Sequence, residues 1–324
     1  MTASVTAAAI LLLALSWGVG IGAEPPKNES ESRGEFLAQV GIAQRYFVVR
    51  SNITYRTAND ASLKLDVYKP NGIRGERPTL VYFHGGGWME NYTKDSFPLV
   101  FAPFLGLNWV VINIDYRPSS VSLAPAAVED CLCAMRWIVR HASEYNIDAA
   151  RLVTMGNSAG GHLALTTGLI PLSDSGFGGP CTREDAEDPE TMRSARVAAI
   201  INWNGITDVA DLIEGKNRKE YAVIWIGNQP DRLELARSVS PLSYIRTSSP
   251  PVISIHGDRD PGVPYRHAVR LHAELTKSGV FNKLVTIRGG GHGFDLKDTT
   301  YAYEMIFEFL RDLRLIELSD DGTE

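Results

Sequence analysis

A glycine-flanked serine between a strand-like run and a helix-like run places the strongest constraint on how this chain folds. The apolar run 151–155 leads into Gly156-Asn157-Ser158-Ala159-Gly160, and residues 162–167 continue with a helix-like pattern. A serine raised on so sharp a turn has strained backbone geometry, and side chains two residues away would collide there. The pattern therefore predicts a strand-turn-helix unit that presents the Ser158 hydroxyl at the end of a strand.

Three other loops with chemically useful residues also follow apolar, strand-like runs. The run 79–83 leads into HGGGW at 84–88, the run 252–256 into GDRDPGVP at 257–264, and the run 284–288 into GGGHGF at 289–294. A serine, an aspartate and a histidine therefore occur in that order, each on a loop after a strand. This order is the one found in α/β-hydrolases, and it differs from those of the chymotrypsin and subtilisin folds.

The motifs HGGGW, GNSAGG, DPGVP and GHGF together resemble those of α/β-hydrolase serine carboxylesterases. The resemblance is to the branch with hormone-sensitive-lipase-like and feruloyl or acetylxylan-type esterases, and it covers about residues 45–315. The turn at 115–117 (Asp-Tyr-Arg) also fits that branch. The resemblance implies ester hydrolysis by a serine nucleophile without a metal or an organic cofactor.

The residue types in these loops suggest a role for each. A serine hydroxyl needs a nearby base to remove its proton, and a histidine serves as base and then as acid near neutral pH. We therefore expect Ser158 as nucleophile, His292 as base and Asp260 as the carboxylate that orients the imidazole. Asp258 is the rival acid, and the Asp-x-x-Val-Pro spacing favours Asp260. Of the remaining histidines, three are expected to bond locally (His84, His162 and His256) and three to lie at the surface (His141, His267 and His272).

Backbone N–H groups beside the serine are expected to bind the oxyanion that forms during acyl transfer. The resemblance assigns this role to the N–H groups of Gly86, Gly87 and Ala159. Three further residues are candidates for the substrate pocket: Trp88, Tyr116 and Asp208. Trp203 is a further candidate for the edge of the site.

From residue 79 onward, continuous apolar strands alternate with helical stretches, which indicates a parallel sheet with helices on both faces. The predicted fold class is α/β, specifically an α/β-hydrolase fold with a mostly parallel central sheet and a small cap insertion. The catalytic domain is expected over 46–315, the cap over about 209–248 and a tail over 316–324. The strands 46–49, 63–68 and 197–203 and the helices 125–145 and 301–315 are predicted within it. An insertion at 171–196 has no readable role.

The first 23 residues predict an exported protein. An apolar, uncharged stretch at 5–15 is followed by small residues up to Ala23 and then by polar residues. This pattern is typical of a secretory signal peptide, here 1–23, followed by a flexible leader at 24–45. We therefore expect a secreted or periplasmic location. The alternative is an uncleaved N-terminal membrane anchor, because the stretch is just long enough to span a bilayer.

The net charge indicates which binding partners to expect, whereas the cysteine positions do not decide whether a disulfide forms. The formal net charge of −6 comes without a basic block, so nucleic acid is not an expected partner, and a small or polysaccharide-linked ester is. Cys131 and Cys133 lie two apart in a predicted helix and cannot bridge each other there. Either could pair with Cys181, or all three could remain thiols.

Three alternative functions share parts of this pattern. An arylformamidase or a small peptidase of the same fold would use the same serine, aspartate and histidine. An inactive hydrolase-fold binding protein is the alternative outside the enzymes, since fold and function can separate. Such proteins typically lose one of the three residues, whereas Ser158, Asp260 and His292 are all present.

Overall fold

The computed structural model describes residues 47–90, 100–172, 177, 181 and 195–316. Within them, eight strands form one sheet in the order β1-β2-β4-β3-β5-β6-β7-β8. The strands are β1 (Phe47–Ala58), β2 (Ala61–Pro70), β3 (Arg77–Phe83), β4 (Val110–Ile114), β5 (Ile147–Asn157), β6 (Val197–Trp203), β7 (Val252–Gly257) and β8 (Asn282–Ile287). The β1–β2 and β2–β4 pairs are antiparallel, and the remaining pairs are parallel. The predicted mostly parallel sheet is confirmed.

Helices connect these strands and cover both faces of the sheet. In the described residues they are α1 (Ala102–Leu105), α2 (Ala126–Arg140), α3 (Ala142–Tyr145), α4 (Ala159–Leu169), α5 (Val209–Ile213), α6 (Glu220–Ile226), α7 (Arg232–Ser238), α8 (Arg266–Lys277) and α9 (Leu296–Asp312). Two buried clusters lie on opposite faces, one holding residues of α2, α4 and α8 and the other residues of α1 and α9. Strand β4, which is buried along its whole length, is apolar at every position except Asn113 because it contacts both clusters.

The bounds of one strand and two helices differ from the predicted bounds. Strand β1 extends to Ala58, well beyond the predicted 46–49, because an exposed edge strand tolerates the polar residues of its second half. The predicted helix 125–145 is divided into α2 and α3 at His141, which caps the first of them. Helix α9 begins earlier than predicted, at Leu296, where the Asp295 side chain accepts from the Asp298 N–H.

The segment predicted as a cap lies between β6 and β7 and consists of short helices. Helices α5, α6 and α7 and two short 3-10 turns fill it. Trp225 of α6 stacks on Trp88 at 4.0 Å between ring centroids, and its carbonyl accepts from the Ala124 N–H. The cap is therefore packed against the loop that follows β3.

Several predicted segments lie outside the described residues. These are the signal peptide at 1–23, the leader at 24–45, residue 46, most of the insertion at 171–196 and residues 317–324 of the tail. Within the described part of the chain, no helix is both long and apolar enough to span a membrane.

The structure shows which cysteine pairs with Cys181. Cys133 and Cys181 form a disulfide, and Cys131 is a buried free thiol. The guanidinium of Arg136 donates to the Leu172 carbonyl and to Cys181 Sγ, at 3.0 Å each. Helix α2 and the 171–196 insertion are thus joined by a covalent bond and by two hydrogen bonds.

Candidate active site

The backbone at Ser158 has the strained geometry that the sequence predicts. Ser158 directly follows β5 and is the N-cap residue of α4, with φ of 55° and ψ of −120°. A Cβ atom on Gly156 would lie 2.3 Å from the Gly160 carbonyl oxygen, and one on Gly160 would lie 2.0 Å from the Phe83 carbonyl oxygen. Both glycines are required because the turn, α4 and β3 approach each other too closely for any side chain.

Ser158, His292 and Asp260 form a chain of hydrogen bonds at the carboxyl ends of β5, β8 and β7. His292 Nδ1 lies 2.7 Å from Asp260 Oδ2, and His292 Nε2 lies 2.9 Å from Ser158 Oγ. An ionised carboxylate can only accept, so Nδ1 carries the proton and Nε2 is left to accept from the serine hydroxyl. The three residues that the sequence places far apart are therefore within hydrogen-bond reach.

The Asp260 carboxylate is completely buried and has a donor on each oxygen. Oδ1 accepts from the Gly262 and Val263 N–H groups at 2.7 and 2.9 Å. Oδ2 lies 3.3 Å from His256 Nε2 in addition to its bond with His292. Burial by itself would raise the pKa of Asp260, but hydrogen bonds from His256, His292 and Val263 outweigh it and hold that pKa well below the usual value. Asp260 is therefore ionised whenever the protein is folded near neutral pH.

The rival carboxylate has a different position. Asp258 Oδ1 accepts from the Gly289 N–H at 2.6 Å and so joins the turns after β7 and β8. Its side chain is exposed. The geometry therefore favours Asp260 over Asp258 as the partner of His292.

The HGGGW loop lies directly against the residue that precedes Ser158. A Cβ atom on Gly85 would be 2.8 Å from Asn157 Nδ2 and 3.0 Å from the Asn157 carbonyl oxygen. Gly86 and Gly87 have φ values of 105° and 62°, which favour glycine. The N–H of Ala159, in the first turn of α4, has no acceptor within the helix. The HGGGW loop and the start of α4 thus both lie next to the turn at Ser158.

The three residues predicted to line the pocket make structural contacts in the fold. Trp88 is fully buried, stacks on Trp225 and donates through Nε1 to His162 Nδ1. Tyr116 is also fully buried and donates to the His84 carbonyl at 2.8 Å, which supports the HGGGW loop. Asp208 caps α5 and pairs with Arg270. Two of these side chains are thus fully buried and the third is partly exposed, and their place in a substrate pocket stays a prediction.

An aromatic cavity of about 240 Å³ lies beside His292 and Asn157. Its other described lining residues are Tyr82, Val100, Met155, Trp203, Asn204, Gly293, Phe294, Thr299 and Tyr303. Trp203, which the sequence places at the edge of the site, is among them. A cavity lined mainly by apolar and aromatic groups with a few polar atoms is typical of small-molecule sites.

Asn204 is a site residue that the sequence reasoning missed. Its Oδ1 accepts from the Ser158 N–H at 3.2 Å, and its Nδ2 donates to the His292 carbonyl at 2.6 Å. One amide thus joins the backbones of the serine and histidine loops. The signal was available, because Asn204 follows β6 just as the other site residues follow their strands.

Within the described residues, no group of three or more His, Cys, Asp or Glu side chains is arranged to hold a metal ion.

Comparison with known proteins identifies the family. The BD-FAE family profile matches residues 65–275, nearly two thirds of the chain. The chain belongs to the BD-FAE family. A second profile, described as TAP-like protein, matches residues 234–321. The resemblance to α/β-hydrolase carboxylesterases predicted from the motifs is thereby confirmed.

Individual relatives of this BD-FAE protein are esterases. Esterase LipQ of Mycobacterium tuberculosis is 28% identical over 282 residues, which cover 84% of this chain and 63% of LipQ. A thermophilic esterase of Thermogutta terrifontis, Est2, is 28% identical with a TM-score of 0.67, over 85% of this chain and 95% of Est2. A truncated carbohydrate esterase from gut microbiota shares the fold at 24% identity, with a TM-score of 0.68, over 83% of this chain and 97% of the other. This BD-FAE protein thus spans less than two thirds of LipQ but nearly all of the two structural neighbours.

Buried histidines of this BD-FAE protein predict a loss of stability in mild acid. Burial lowers the pKa values of His84, His162 and His272 to about 4 each, including His272, which was wrongly expected at the surface. His267, also expected at the surface, is buried as well. In the unfolded chain the three histidines titrate near pH 6.5. The unfolded state therefore binds more protons between about pH 6.5 and pH 4, and the free energy of unfolding falls as the pH falls through that window.

Urea unfolding at several pH values between 7 and 4 measures this effect. We expect the fall to be smaller in His272→Gln, by about 1.4 kcal/mol for each unit of pKa difference that is removed. A free energy of unfolding that is constant over this window, or an unchanged slope in His272→Gln, would contradict the assignment.

Proposed function

We propose that the protein is a serine hydrolase that cleaves carboxylic esters through an acyl-enzyme intermediate. The observation that carries this proposal is the hydrogen-bonded chain from Ser158 Oγ through His292 to the buried Asp260 carboxylate. The strained turn at Ser158 and the nearby backbone donors support it. The esterase relatives support the choice of ester over other acyl compounds.

The proposed reaction begins with attack by Ser158 on the ester carbonyl carbon. The Oγ–C bond forms while the hydroxyl proton moves to His292 Nε2, and the carbonyl oxygen becomes an oxyanion. The N–H groups of Gly86, Gly87 and Ala159 are proposed to bind that oxyanion. Loss of one such donor typically costs roughly 3–4 kcal/mol of transition-state stabilisation.

Two further steps are proposed: the first intermediate breaks down to the acyl-enzyme, and water then hydrolyses the acyl-enzyme. The bond to the leaving oxygen breaks, and His292 Nε2 gives its proton to the departing alkoxide. Water next attacks the acyl carbon while Nε2 takes one of its protons. The Oγ–C bond then breaks to release the acid, and Nε2 returns its proton to Oγ, which restores the Ser158 hydroxyl. Throughout, the ionised Asp260 holds the imidazole in position and stabilises its cationic form.

The substrate is proposed to be a neutral ester with a short-chain, acetyl or feruloyl-type acyl group. The aromatic cavity beside His292 is large enough for a small group and supports a compact substrate. Another structure of the Thermogutta esterase is described as butyrate-bound, with a TM-score of 0.67 over 85% of this chain and 96% of Est2 at 28% identity. That description supports a short acyl chain.

A substrate series tests the proposed function. We expect hydrolysis of p-nitrophenyl acetate and butyrate, and we would follow acetate release from acetylated xylan and ferulate release from methyl ferulate in parallel. N-formylkynurenine and a small peptide are included because an arylformamidase or a peptidase would prefer them. Hydrolysis of neither the esters nor these two amides would favour a binding protein and overturn the proposal.

We further propose that the protein is exported. The apolar stretch at 5–15 and the small residues before Ala23 support a signal peptide. The Cys133–Cys181 disulfide supports an oxidising compartment. N-terminal sequencing of protein recovered from the producing cells tests this proposal, with a start near residue 24 expected and a start at Met1 pointing to the membrane anchor.

A further inference from the structure

Tyr221, in helix α6 of the cap, contacts two of the loops that form the site. A Cβ atom placed on Gly87 would lie 3.1 Å from the Cβ of Tyr221, so the tyrosine packs directly on the HGGGW loop. The Tyr221 hydroxyl donates to the Gly262 carbonyl at 3.1 Å, on the turn after β7. One side chain therefore connects the loop of the proposed oxyanion donors with the turn that carries Asp260.

The Gly262 end of this connection lies against the imidazole of His292. A Cβ atom on Gly262 would be 2.9 Å from both Cγ and Nδ1 of His292. The N–H of Gly262 donates to Asp260 Oδ1 at 2.7 Å. The position of Gly262 thus fixes both the ring plane of the histidine and the carboxylate that holds it.

A second cap residue contacts the same turn. Lys219 Nζ donates to the Pro261 carbonyl at 2.7 Å, next to the carbonyl that Tyr221 binds. Two consecutive carbonyls of the turn are therefore held by side chains two residues apart in the cap. These two hydrogen bonds restrain the turn from the side of the cap.

The Tyr221 hydroxyl has a raised pKa and therefore keeps the proton that it donates to the Gly262 carbonyl. Burial raises the pKa of Tyr221 well above its usual value, and the negative charge of Asp260 raises it further. The hydroxyl therefore stays protonated over the working pH range of the protein. Loss of the hydroxyl proton therefore does not interrupt its bond to Gly262.

We propose that Tyr221 is a positioning residue through which the cap holds the turn 260–263 against His292 and bounds the space beside Gly87. This inference rests on the proposed esterase function and specifies which cap residue that function requires. Small losses of alignment between nucleophile, base and acid lower the rate of acyl transfer strongly. Tyr221 acts on the reaction through Gly262 and His292.

The test compares Tyr221→Phe, Tyr221→Ala and a matched control, Tyr244→Phe. Tyr244 is also in the cap segment, and its hydroxyl also donates to a backbone carbonyl, that of Ser238. In Tyr221→Phe the ring still packs on Gly87, so we expect kcat on p-nitrophenyl acetate to fall about tenfold, as loss of about 1.4 kcal/mol implies, while KM stays within about twofold. In Tyr221→Ala the space beside Gly87 also changes, and we expect both kcat and KM to change.

Thermal unfolding and Ser158→Ala complete the experiment. We expect Tyr221→Phe and Tyr244→Phe to have similar midpoints of unfolding, with kcat lowered only in the first. An unchanged kcat in Tyr221→Phe beside an inactive Ser158→Ala would overturn the role of Tyr221 alone. A fall in kcat that Tyr244→Phe matches would also overturn it. Full activity in Ser158→Ala would overturn the proposed function and this inference with it.

Discussion

Replacing Ser158 by alanine is expected to lower kcat for p-nitrophenyl acetate by about 10⁴- to 10⁶-fold. The substitution removes the oxygen proposed to form the acyl-enzyme, and His292 Nε2, 2.9 Å from Oγ, loses its proton donor. The remaining rate should still exceed that in water by about 10³–10⁴-fold, because the oxyanion donors and substrate binding persist. Initial rates with a chain-length series of p-nitrophenyl esters measure the effect.

The fold should survive this substitution. Alanine also lacks a branched side chain, although the φ of 55° at this position is strained for any residue other than glycine. A matched control is Ser243→Ala, in which an exposed hydroxyl bonded to the Arg237 carbonyl is removed. We expect that control to keep its rate and both variants to keep their far-UV circular dichroism. A kcat close to that of the parent in folded Ser158→Ala would exclude the proposed nucleophile.

The second large effect is expected in Asp260→Asn. An asparagine side chain of the same shape can donate to His292 Nδ1, which favours the tautomer with the proton on Nε2. That tautomer cannot take the proton of Ser158. Substitutions of this kind lower kcat by about 10⁴-fold in other serine hydrolases, and we expect a similar fall here.

Asp258→Asn provides the matched comparison, since it makes the same chemical change two residues away. Its carboxylate accepts from the Gly289 N–H and does not contact His292. An asparagine oxygen can still accept that bond, so we expect kcat within about threefold of the parent. The opposite ranking of the two variants would show that Asp258 is the acid.

The sequence allowed the site to be predicted wherever strand ends determine position. Ser158, Asp260 and His292 each follow a strand of a parallel sheet, and the carboxyl ends of such strands meet at one edge. The need for glycine at 156 and 160 could also be predicted, because the backbone segments approach each other too closely there for any side chain. The order of the motifs along the chain and the local sequence patterns were thus sufficient to predict the fold and to select Ser158, Asp260 and His292.

The packing of the predicted pocket residues could not be predicted, because nearness in sequence does not give the direction of a side chain. Trp88 follows the glycine loop, but its φ of 58° turns the indole into the core, where Trp225 of the cap stacks on it. Trp225 and Tyr221 come from a segment without a recognisable motif. Contacts between the cap and the catalytic loops depend on tertiary packing that no local pattern in 209–248 encodes.

The buried histidines illustrate the same limit. His267 and His272 lie in the amphipathic helix α8, where a polar residue is the natural choice for the exposed face. Both are buried because they find acceptors or donors in other elements: Thr207 and Asp211 for His267, and Asn282 for His272. Such partners are set by the packing of α8 against the cap and β8.

Covalent labelling tests the central claim most directly. The Thermogutta esterase is described as phosphorylated by paraoxon, so paraoxon is a suitable reagent for this chain. Treatment followed by proteolysis and mass spectrometry should give one diethylphosphoryl group, on the peptide that contains Ser158, with parallel loss of ester hydrolysis. His292→Gln should be labelled far more slowly. A label on a different residue, or ester hydrolysis that continues in fully labelled protein, would contradict the account.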